Sequence, residues 1–587
     1  MKRISKDIWA VFKLLYQNKG RFSINALLLQ LIMIFISSTY LILLFNMMLK
    51  VAGQSQLTIN NWMEIVSHPA SVILLIIFIL SVAFLIYVEF SLLVYMVYAG
   101  FDRQIITFKS IFKNAFVNVR KLIGVPVIFF VIYLMLMIPI ANLGLSSVLT
   151  KNIYIPKFLT EELMKTTKGI IIYGTFMIAV FILNFKLIFT LPLTILNRQS
   201  LFKNMRLSWQ ITKRNKFRLV IEIVILELII GAILTLIISG ATYLAICVDE
   251  EGDKFLVSSI LFVVLKSSLF FYYLFTKLSL ISVLVLHLKQ ENVLDQPGLE
   301  FKYPKPKRKS RFFIISMVLA VTCFVGYNMY LLYNNTINTN ISIIGHRGFE
   351  DKGVENSIPS LKAAAKANVE YVELDTIMTK DKQFVVSHDN NLKRLTGVNK
   401  NISESNFKDV VGLKMRQNRH EAKLVSLDEF IETAKQSNVK LLVELKPHGK
   451  EPADYTQRVI DILKKHGVEH QYRVMSLDYD VMTKLKKEAP YLKCGYIIPL
   501  QFGHFKETSL DFFVIEDFSY SPRLVNQAHL ENKEVYTWTI NGEEDLTKYL
   551  QTNVDGIITD DPALADQIKE EKKDETYFDR SIRILFE

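Results

Sequence analysis

Cysteine is scarce in this chain, which has only three among 587 residues. Cys247 and Cys323 lie in apolar runs, so Cys494 is alone in the polar C-terminal half and has no partner there for a disulfide. A disulfide-stapled scaffold is therefore excluded for that half. It must be held by a hydrophobic core of its own, for which about 250 residues are sufficient.

Acidic residues are also few in the first part of the chain. Residues 1–333 carry 34 basic and 15 acidic residues, a net charge of +19, while residues 334–587 carry 35 and 41, a net charge of −6. The basic excess is thus confined to the apolar part, where it indicates membrane topology and contact with lipid headgroups. The polar part lacks the basic surface of a nucleic-acid-binding domain, and we expect no nucleic-acid partner.

Long hydrophobic runs are what the sequence has in abundance, with 51% hydrophobic residues overall. Each of seven runs exceeds the roughly 20 residues that span the hydrocarbon core of a bilayer. Buried helices of a soluble protein are the alternative, but they rarely run so long. We therefore predict a membrane domain over residues 1–333 with about seven transmembrane helices. The runs cover residues 23–49, 71–99, 122–146, 169–195, 219–247, 255–287 and 311–333.

The basic residues between these runs predict an orientation. The N-terminal segment and every second connecting segment after it hold 25 lysines and arginines in total. The other connecting segments hold 6. By the positive-inside rule the N-terminus is cytoplasmic, and an odd number of spans places the chain after Tyr333 outside the cell. We expect no cleavable signal peptide, because the first run is too long and lacks a small-residue cleavage site.

The polar half, residues 340–570, alternates short strand-like segments with amphipathic helical stretches. This order predicts a parallel α/β fold, and eight strands would close a (β/α)8 barrel. Nine strand-like segments are present. The surplus one is "FVVSHD", because about five residues separate it from the preceding strand, which permits a hairpin but no helical crossover. A doubly wound open sheet is the alternative architecture.

Ionisable residues stand where the early strands end, which is where a barrel carries its chemistry. Glu373 and Asp375 are two residues apart on one strand, so both carboxylates point to the same face, and Glu444 ends another strand. Three carboxylates suit a hard divalent cation, Ca²⁺ or Mg²⁺. The alternative is that they are ordinary solvated acids at strand ends.

Two histidines, His346 and His388, also end strands, and imidazole can exchange protons near neutral pH. A single histidine in such a place is more often structural. Here, however, Arg347 can donate to two phosphate oxygens and Lys446 can add a point charge. Together these groups suit an anionic tetrahedral substrate.

Seven short motifs follow one another along the polar half, from "GHRG" at 345–348 to "DGIITDDP" at 555–562. In these motifs the polar half resembles a known family, the glycerophosphodiester phosphodiesterases of the phosphatidylinositol-phospholipase-C-like barrel group. The resemblance implies that His346 and His388 form the general acid-base pair and that Glu373, Asp375 and Glu444 bind the metal. It further implies that four residues surround the phosphate and glycerol: Arg347, Glu355, Lys446 and Trp538. The apolar half is similar to the multi-span domain that precedes this barrel in some Gram-positive bacterial members. The motifs are "GHRG" at 345–348, "EN" at 355–356, "VELD" at 372–375, "VVSHD" at 385–389, "VELK" at 443–446, "YTWTIN" at 536–541 and "DGIITDDP" at 555–562.

The resemblance implies hydrolysis to sn-glycerol 3-phosphate and an alcohol, with glycerophosphodiesters, lysolipids or glycerophosphate polymers as substrates. Two departures are local: Lys382 stands where the family usually has glycine, and "LVSLDEF" lacks a proline of the corresponding segment. No proposed catalytic position is altered. The alternative function is a membrane transporter or scaffold whose barrel binds such groups without catalysis, and intact histidines and carboxylates favour the enzyme.

Six ionisable residues lie within or near the ends of apolar runs, where charges are costly and tend to pair or to line a cavity. One interpretation is a set of internal ion pairs that hold an anchor together. The other is a headgroup cavity that supplies lipid to the barrel, for which Glu227 and Lys266, deepest in their runs, are the first positions to test. The six are Glu89, Lys186, Glu222, Glu227, Lys266 and Lys277.

Overall fold

The computed structural model divides the chain into two compact units. The first comprises Met1–Ala52, Ser67–Tyr333 and Thr576–Phe586, and the second Gly53–Val66 with Asn334–Glu575. The short segment 53–66, which follows the first apolar run in sequence, thus belongs to the unit that contains the polar half. The structure describes residues 2–106, 108–122, 124–137, 147, 149, 155–156, 160, 163–164, 166–294, 301–302 and 311–586.

The first unit is helical. Within the described residues, six helical stretches are long and apolar enough to cross a membrane: Lys2–Val51, Pro69–Phe101, Thr167–Leu196, Leu201–Val248, Phe255–Gln290 and Ile315–Asn334. The helices are Lys2–Ile36, Ile42–Val51, Pro69–Phe101, Phe108–Val119, Val125–Met137, Thr167–Leu187, Thr190–Leu196, Leu201–Val248, Phe255–Gln290, Arg311–Asn334 and Tyr577–Phe586.

The third apolar run is the exception among the seven. Its described helix, Val125–Met137, has 13 residues. At 1.5 Å per residue it is about 20 Å long, shorter than the roughly 30 Å hydrocarbon core. The rest of the run, residues 138–146, lies outside the described residues. The seventh crossing, and with it the odd number of spans, therefore stays a prediction.

Several of the ionisable residues in the apolar runs are paired inside the helical unit. Lys277 Nζ lies 2.7 Å from Glu89 Oε1, and the Glu89 side chain is only 2% exposed. Glu222 accepts from Arg218 Nε at 2.9 Å and lies 2.7 Å from the ring of His287. These buried pairs support the interpretation that the charges hold the helices together.

The second unit is built on a closed barrel of eight parallel strands. Each strand pairs in parallel with the next along the chain, and the last pairs with the first, so the sheet has no edge. The predicted (β/α)8 barrel is confirmed, and closure excludes the doubly wound open sheet. The strands are β1 (Ser342–Gly345), β2 (Tyr371–Met378), β3 (Lys440–Leu445), β4 (Arg473–Ser476), β5 (Lys493–Ile498), β6 (Phe512–Glu516), β7 (Glu534–Trp538) and β8 (Gly556–Thr559).

The surplus strand is also as predicted. Phe384–Val386 pairs antiparallel with the end of β2, with Met378 opposite Phe384, and thus forms a hairpin outside the parallel order. Lys382, in the intervening turn, has a φ of 65°. The turn therefore keeps the left-handed conformation that favours glycine, although lysine stands there.

Three shorter antiparallel pairs lie outside the barrel among the described residues. They are Lys414–Gln417 with His420–Lys423, Gln56–Thr58 with Gln501–Gly503, and Ile105–Ile106 with Phe301–Lys302.

Side chains along each strand point alternately outward and inward, and they form two separate apolar layers. Val372 and Leu374 of β2 face outward into the core shared with the helices, whereas Tyr371 packs in the barrel interior with Leu442 and Tyr536. Glu373 and Asp375 follow Tyr371 at intervals of two and therefore also face inward, above this apolar floor. The helices of the unit are Trp62–Ser67, Ile358–Lys366, Lys393–Thr396, Leu427–Gln436, Tyr455–His466, Tyr479–Glu488, Pro522–Leu530, Glu543–Tyr549 and Pro562–Glu571.

Candidate active site

The turn after β1 holds a strained backbone. Arg347 has a φ of 53°, and Gly348 has a φ of 98°. A Cβ on Gly348 would lie 2.5 Å from the hydroxyl oxygen of Ser360, so only glycine fits there. The left-handed conformation of Arg347 directs its backbone N–H at Glu373, with 2.9 Å between the nitrogen and Oε2. The His-Arg-Gly turn is thereby tied to the carboxylates of β2.

Glu373, Asp375 and Glu444 converge at the carboxyl ends of β2 and β3. Asp375 and Glu444 are neighbours in register, and one ligand oxygen from each of the three carboxylates lies within 4.8 Å of the others. The Glu373 and Asp375 side chains are nearly fully buried. Asn356, itself in a left-handed conformation (φ 55°), clamps Asp375: its Nδ2 donates to Oδ2 at 2.8 Å, and its Oδ1 accepts from the Asp375 N–H at 3.1 Å.

The three carboxyl groups differ in the direction of their pKa shifts. Burial and the neighbouring Asp375 raise the pKa of Glu373, and burial likewise raises the pKa of Glu444. Burial also acts on Asp375, but Lys446 and Arg347 outweigh it and hold the pKa of Asp375 well below its usual value. Lys446 Nζ lies 2.7 Å from Asp375 and 3.5 Å from Glu444.

The three carboxylates fit a divalent cation. They offer hard oxygen donors in a buried cluster, and the raised pKa values of Glu373 and Glu444 mean that positive charge is needed to keep both ionised. The Asn356 clamp is the kind of outer-shell hydrogen bonding that orients metal-binding carboxylates.

Each predicted histidine is held by a carboxylate. His346 Nδ1 lies 2.6 Å from Asp560 Oδ1, and His388 Nδ1 lies 2.8 Å from Asp389 Oδ1. Burial and Arg347 lower the pKa of His346, but Asp560 and Glu373 together raise it by more, so the net pKa lies above that of free imidazole. In both residues Nδ1 is engaged, which leaves Nε2 for proton exchange.

Glu355 lies beneath the site, where it is 1% exposed. Its carboxylate accepts from Arg347 at 3.3 Å, from Arg394 Nη1 at 2.8 Å and from Gln417 at 3.0 Å. Arg394 in turn donates from Nε to Asp389 at 2.6 Å. A continuous chain of charges therefore runs from His388 through Asp389, Arg394 and Glu355 to Arg347.

The remaining predicted residue is Trp538, at the end of β7. It is half-buried and packs against the apolar cluster of the barrel interior, which includes Tyr536. The structure thus gathers the three carboxylates, Arg347 and Lys446 into one cluster, ties Glu355 to it through Arg347, and sets Trp538 at the carboxyl end of the same barrel.

Sequence reasoning left three side chains of this site without a role: Asp560, Asn356 and Arg394. Asp560 and Asn356 lie within motifs that were singled out, "DGIITDDP" and "EN". Asp560 follows β8, so its position at a strand end was a usable signal. Arg394 lies in the short helix Lys393–Thr396, and nothing local in its sequence distinguishes it from other surface arginines.

Comparisons with known proteins cover both halves of the chain. The family model of the membrane domain of glycerophosphoryl diester phosphodiesterase matches residues 8–328. That of the glycerophosphoryl diester phosphodiesterase family matches residues 346–564.

Individual relatives match the barrel alone. The glycerophosphodiester phosphodiesterase of Caldanaerobacter subterraneus is 27% identical over 231 residues, 38% of this chain and 94% of that protein. The human lysophospholipase D GDPD1 is 26% identical over 263 residues, 37% of this chain and 83% of that protein. A crystal structure of a glycerophosphodiester phosphodiesterase from Parabacteroides distasonis aligns with a TM-score of 0.35 and 21% identity, covering 40% of this chain and 98% of that one.

The membrane-domain match spans more than half of the chain, and the barrel match occupies the polar remainder in the order that the resemblance predicted. The chain therefore belongs to the glycerophosphoryl diester phosphodiesterase family, in the branch whose barrel follows a membrane domain.

Proposed function

We propose that this barrel hydrolyses glycerophosphodiesters to sn-glycerol 3-phosphate and an alcohol by acid-base catalysis with His346 and His388. One observation carries the proposal. His346 follows β1 and His388 follows the hairpin strand Phe384–Val386; each ring is anchored at Nδ1 by a carboxylate, and the same barrel unit gathers three carboxylates, an arginine and a lysine. Such a set can neutralise a phosphodiester and exchange protons on it.

Glu373, Asp375 and Glu444 would hold the divalent ion, Ca²⁺ or Mg²⁺. When bound, the ion supplies positive charge to a phosphate oxygen. Arg347 and Lys446 add their own charges to the other oxygens, and Arg347 is oriented for this by Glu355. Glu355 is buried beneath Arg347, which supports a positioning role for a residue that the resemblance placed around the substrate.

The histidines divide the proton transfers between them. One accepts the proton of the nucleophile, the glycerol 2-hydroxyl or water, as the other donates a proton to the leaving alcohol oxygen. Attack by water gives glycerol 3-phosphate directly, whereas attack by the 2-hydroxyl gives a cyclic phosphate that water then opens to glycerol 3-phosphate. Asp560 and Asp389 hold the two rings, and Asp560 stabilises the protonated form of His346. Trp538 offers an aromatic face to the glycerol carbons.

The proposed setting is the outer side of a cell membrane. Residues 1–333 would form a domain of about seven transmembrane helices with a cytoplasmic N-terminus, followed by the extracytoplasmic barrel of residues 340–570. The alternating basic segments support this orientation. Lysolipids and glycerophosphate polymers are the substrate classes proposed beside soluble glycerophosphodiesters, and the human relative named lysophospholipase D supports the first.

The test supplies purified full-length protein with glycerophosphocholine, lysophosphatidylcholine and lipoteichoic acid, each with and without a chelator. The released alcohol and phosphomonoester are measured. Chelator-sensitive hydrolysis of at least one substrate is expected. Binding of these compounds without turnover would instead favour the transporter or scaffold function.

A further inference from the structure

The segment of residues 53–66 forms part of the barrel unit although nearly 280 residues separate it from the barrel in sequence. Its strand Gln56–Thr58 pairs antiparallel with Gln501–Gly503, in the loop that follows β5. The backbone N–H of His504 donates to the carbonyl of Ser55 at 3.1 Å, and that of Lys506 donates to Gln56 Oε1 at 3.2 Å. The segment is therefore docked beside the carboxyl end of the barrel.

The docked segment is held in one conformation by its own side chains. Asn61 Oδ1 accepts from the N–H of Thr58 at 2.7 Å, and Asn61 Nδ2 donates to Gln54 at 3.1 Å and to the carbonyl of Gln56 at 2.8 Å. Asn60 reaches across to the barrel, where its Nδ2 donates to the Tyr496 hydroxyl at 3.1 Å. Gln56 and Thr58 are buried. Hydrogen bonds and burial therefore hold the segment in an ordered conformation against the barrel.

A cavity of about 700 Å³ lies between this segment and the barrel. Its volume is within the roughly 300–1,000 Å³ of small-molecule binding sites. The barrel side of its wall includes Glu444 and Lys446, so the cavity adjoins the carboxylate cluster at Glu444. The opposite wall is provided by the segment.

The chemistry of the segment's wall is that of neutral hydrogen-bonding groups. Five of its six lining residues there carry an amide or a hydroxyl: Gln54, Gln56, Thr58, Asn60 and Asn61. Amides both donate and accept, which matches the hydroxyl groups of a polyol. The sixth, Glu64, already accepts from Gln54 Nε2 at 2.6 Å. The barrel wall adds the rings of Tyr479 and Tyr496 and the carboxylates of Asp478 and Asp480, which suit a cationic headgroup, so choline is the leaving group to compare with a polyol.

We propose that residues 53–66 form one wall of a subsite that binds the hydroxyl-rich leaving alcohol of the substrate, such as a glycerol or sugar unit. The inference rests on the proposed phosphodiesterase function, because it assigns the cavity to the part of the diester on the far side of the phosphate. It makes this segment, which lies outside the barrel sequence, a determinant of substrate choice.

The test compares kcat/KM for glycerophosphoinositol, glycerophosphocholine and glycerophosphoethanol in the full-length protein. Asn60→Ala removes an amide from the wall, and loss of about one hydrogen bond should lower the inositol-to-ethanol ratio of kcat/KM roughly fivefold. Asn60→Gln, which keeps the amide, should recover part of that ratio. Ser55→Ala is the matched control, because Ser55 contributes only its backbone carbonyl and does not line the cavity.

The outcomes separate this inference from the proposed function. An unchanged ratio in Asn60→Ala, or a loss confined to glycerophosphocholine, overturns the polyol subsite while leaving the phosphodiesterase intact. If the wild type hydrolyses none of the three, the proposed function fails. Calorimetric binding of glycerophosphoinositol to wild type and Asn60→Ala then still tests the subsite, and equal affinities overturn it.

Discussion

Asp560 holds His346 from the far end of the barrel sequence: its Oδ1 lies 2.6 Å from Nδ1 of the imidazole, and its Oδ2 accepts from Asn541 Nδ2 at 2.6 Å. The two residues follow β8 and β1, the strands whose pairing closes the barrel. Closure of the barrel thus brings Asp560 to His346, and through this one carboxylate it affects the protonation state of the histidine.

The first prediction concerns that carboxylate. Burial and Arg347 lower the pKa of His346, while Asp560 and Glu373 together raise it above the usual value, so Asp560→Asn should shift it downward. The limb of the pH–rate profile that reports His346 should then move to lower pH. This direction holds in either role, because the acidic limb reports His346 if it is the base and the alkaline limb reports it if it is the acid, and either limb moves with its pKa.

The measurement is kcat/KM for glycerophosphocholine across the pH range. Asp566→Asn, on the helix after β8, removes a carboxylate without touching His346 and should leave both limbs in place. An Asp560→Asn profile that superimposes on that of the wild type would show that Asp560 does not set the pKa of His346.

The second prediction concerns the Asn356 clamp on Asp375. Asn356→Ala removes one hydrogen bond to the Asp375 carboxylate and one from its backbone N–H, and loss of such outer-shell bonds typically weakens metal affinity by about 10- to 100-fold. Calorimetric titration with Ca²⁺ and Mg²⁺ measures the effect. Asn368→Ala is a matched control, since Asn368 has nearly the same backbone conformation, with φ of 59° against 55°, and lies on the surface. Equal affinities in the two variants would contradict the metal assignment of this cluster.

The third prediction separates crowding from backbone strain at Gly348. Gly348→Ala should destabilise the protein by several kcal/mol, because the new methyl group would lie 2.5 Å from the Ser360 hydroxyl oxygen and φ is 98°. Gly449 has a φ of 79° with nothing within 4 Å of a built Cβ, so Gly449→Ala should cost only about 1 kcal/mol. Thermal unfolding of both variants measures the difference, and equal midpoints would refute the steric account.

The fourth prediction concerns the buried ion pair of the helical unit. Glu89→Gln leaves Lys277 without its 2.7 Å partner and should cost about 3–5 kcal/mol, as for other broken buried pairs. Adding Lys277→Met should recover part of that loss. In the more exposed pair of Asp102 with Lys289, at the similar distance of 2.8 Å, Asp102→Asn should cost less than about 1 kcal/mol. Unfolding in detergent tests this, and similar losses in Glu89→Gln and Asp102→Asn would contradict it.

Much of the barrel was accessible from sequence because its signals are local. The spacing of Glu373 and Asp375 fixes their common face, and the five residues before "FVVSHD" allow only a hairpin. Both predictions are confirmed by the closed sheet and by the antiparallel register of Phe384 with Met378. The roles of His346, His388 and the metal-binding carboxylates remain predictions, since they depend on substrate and ion.

Other features could not be predicted, because they depend on contacts between distant parts of the chain. "TDDP" offers two adjacent aspartates, and only the closed barrel shows that Asp560 meets His346 while Asp561 caps the following helix through Leu564. Gln56–Thr58 lies in a polar stretch between apolar runs, and it pairs with Gln501–Gly503. Nothing in the sequence of either segment indicates that the two would pair.

The most direct test of the central claim is hydrolysis of glycerophosphocholine by the full-length protein and by His388→Ala, with release of choline and glycerol 3-phosphate as the readout. The account predicts that the wild type loses activity with chelator and regains it with Ca²⁺ or Mg²⁺. It also predicts that His388→Ala, with an unchanged unfolding midpoint, is slower by about 10²- to 10⁴-fold. Activity of His388→Ala within tenfold of the wild type would contradict it.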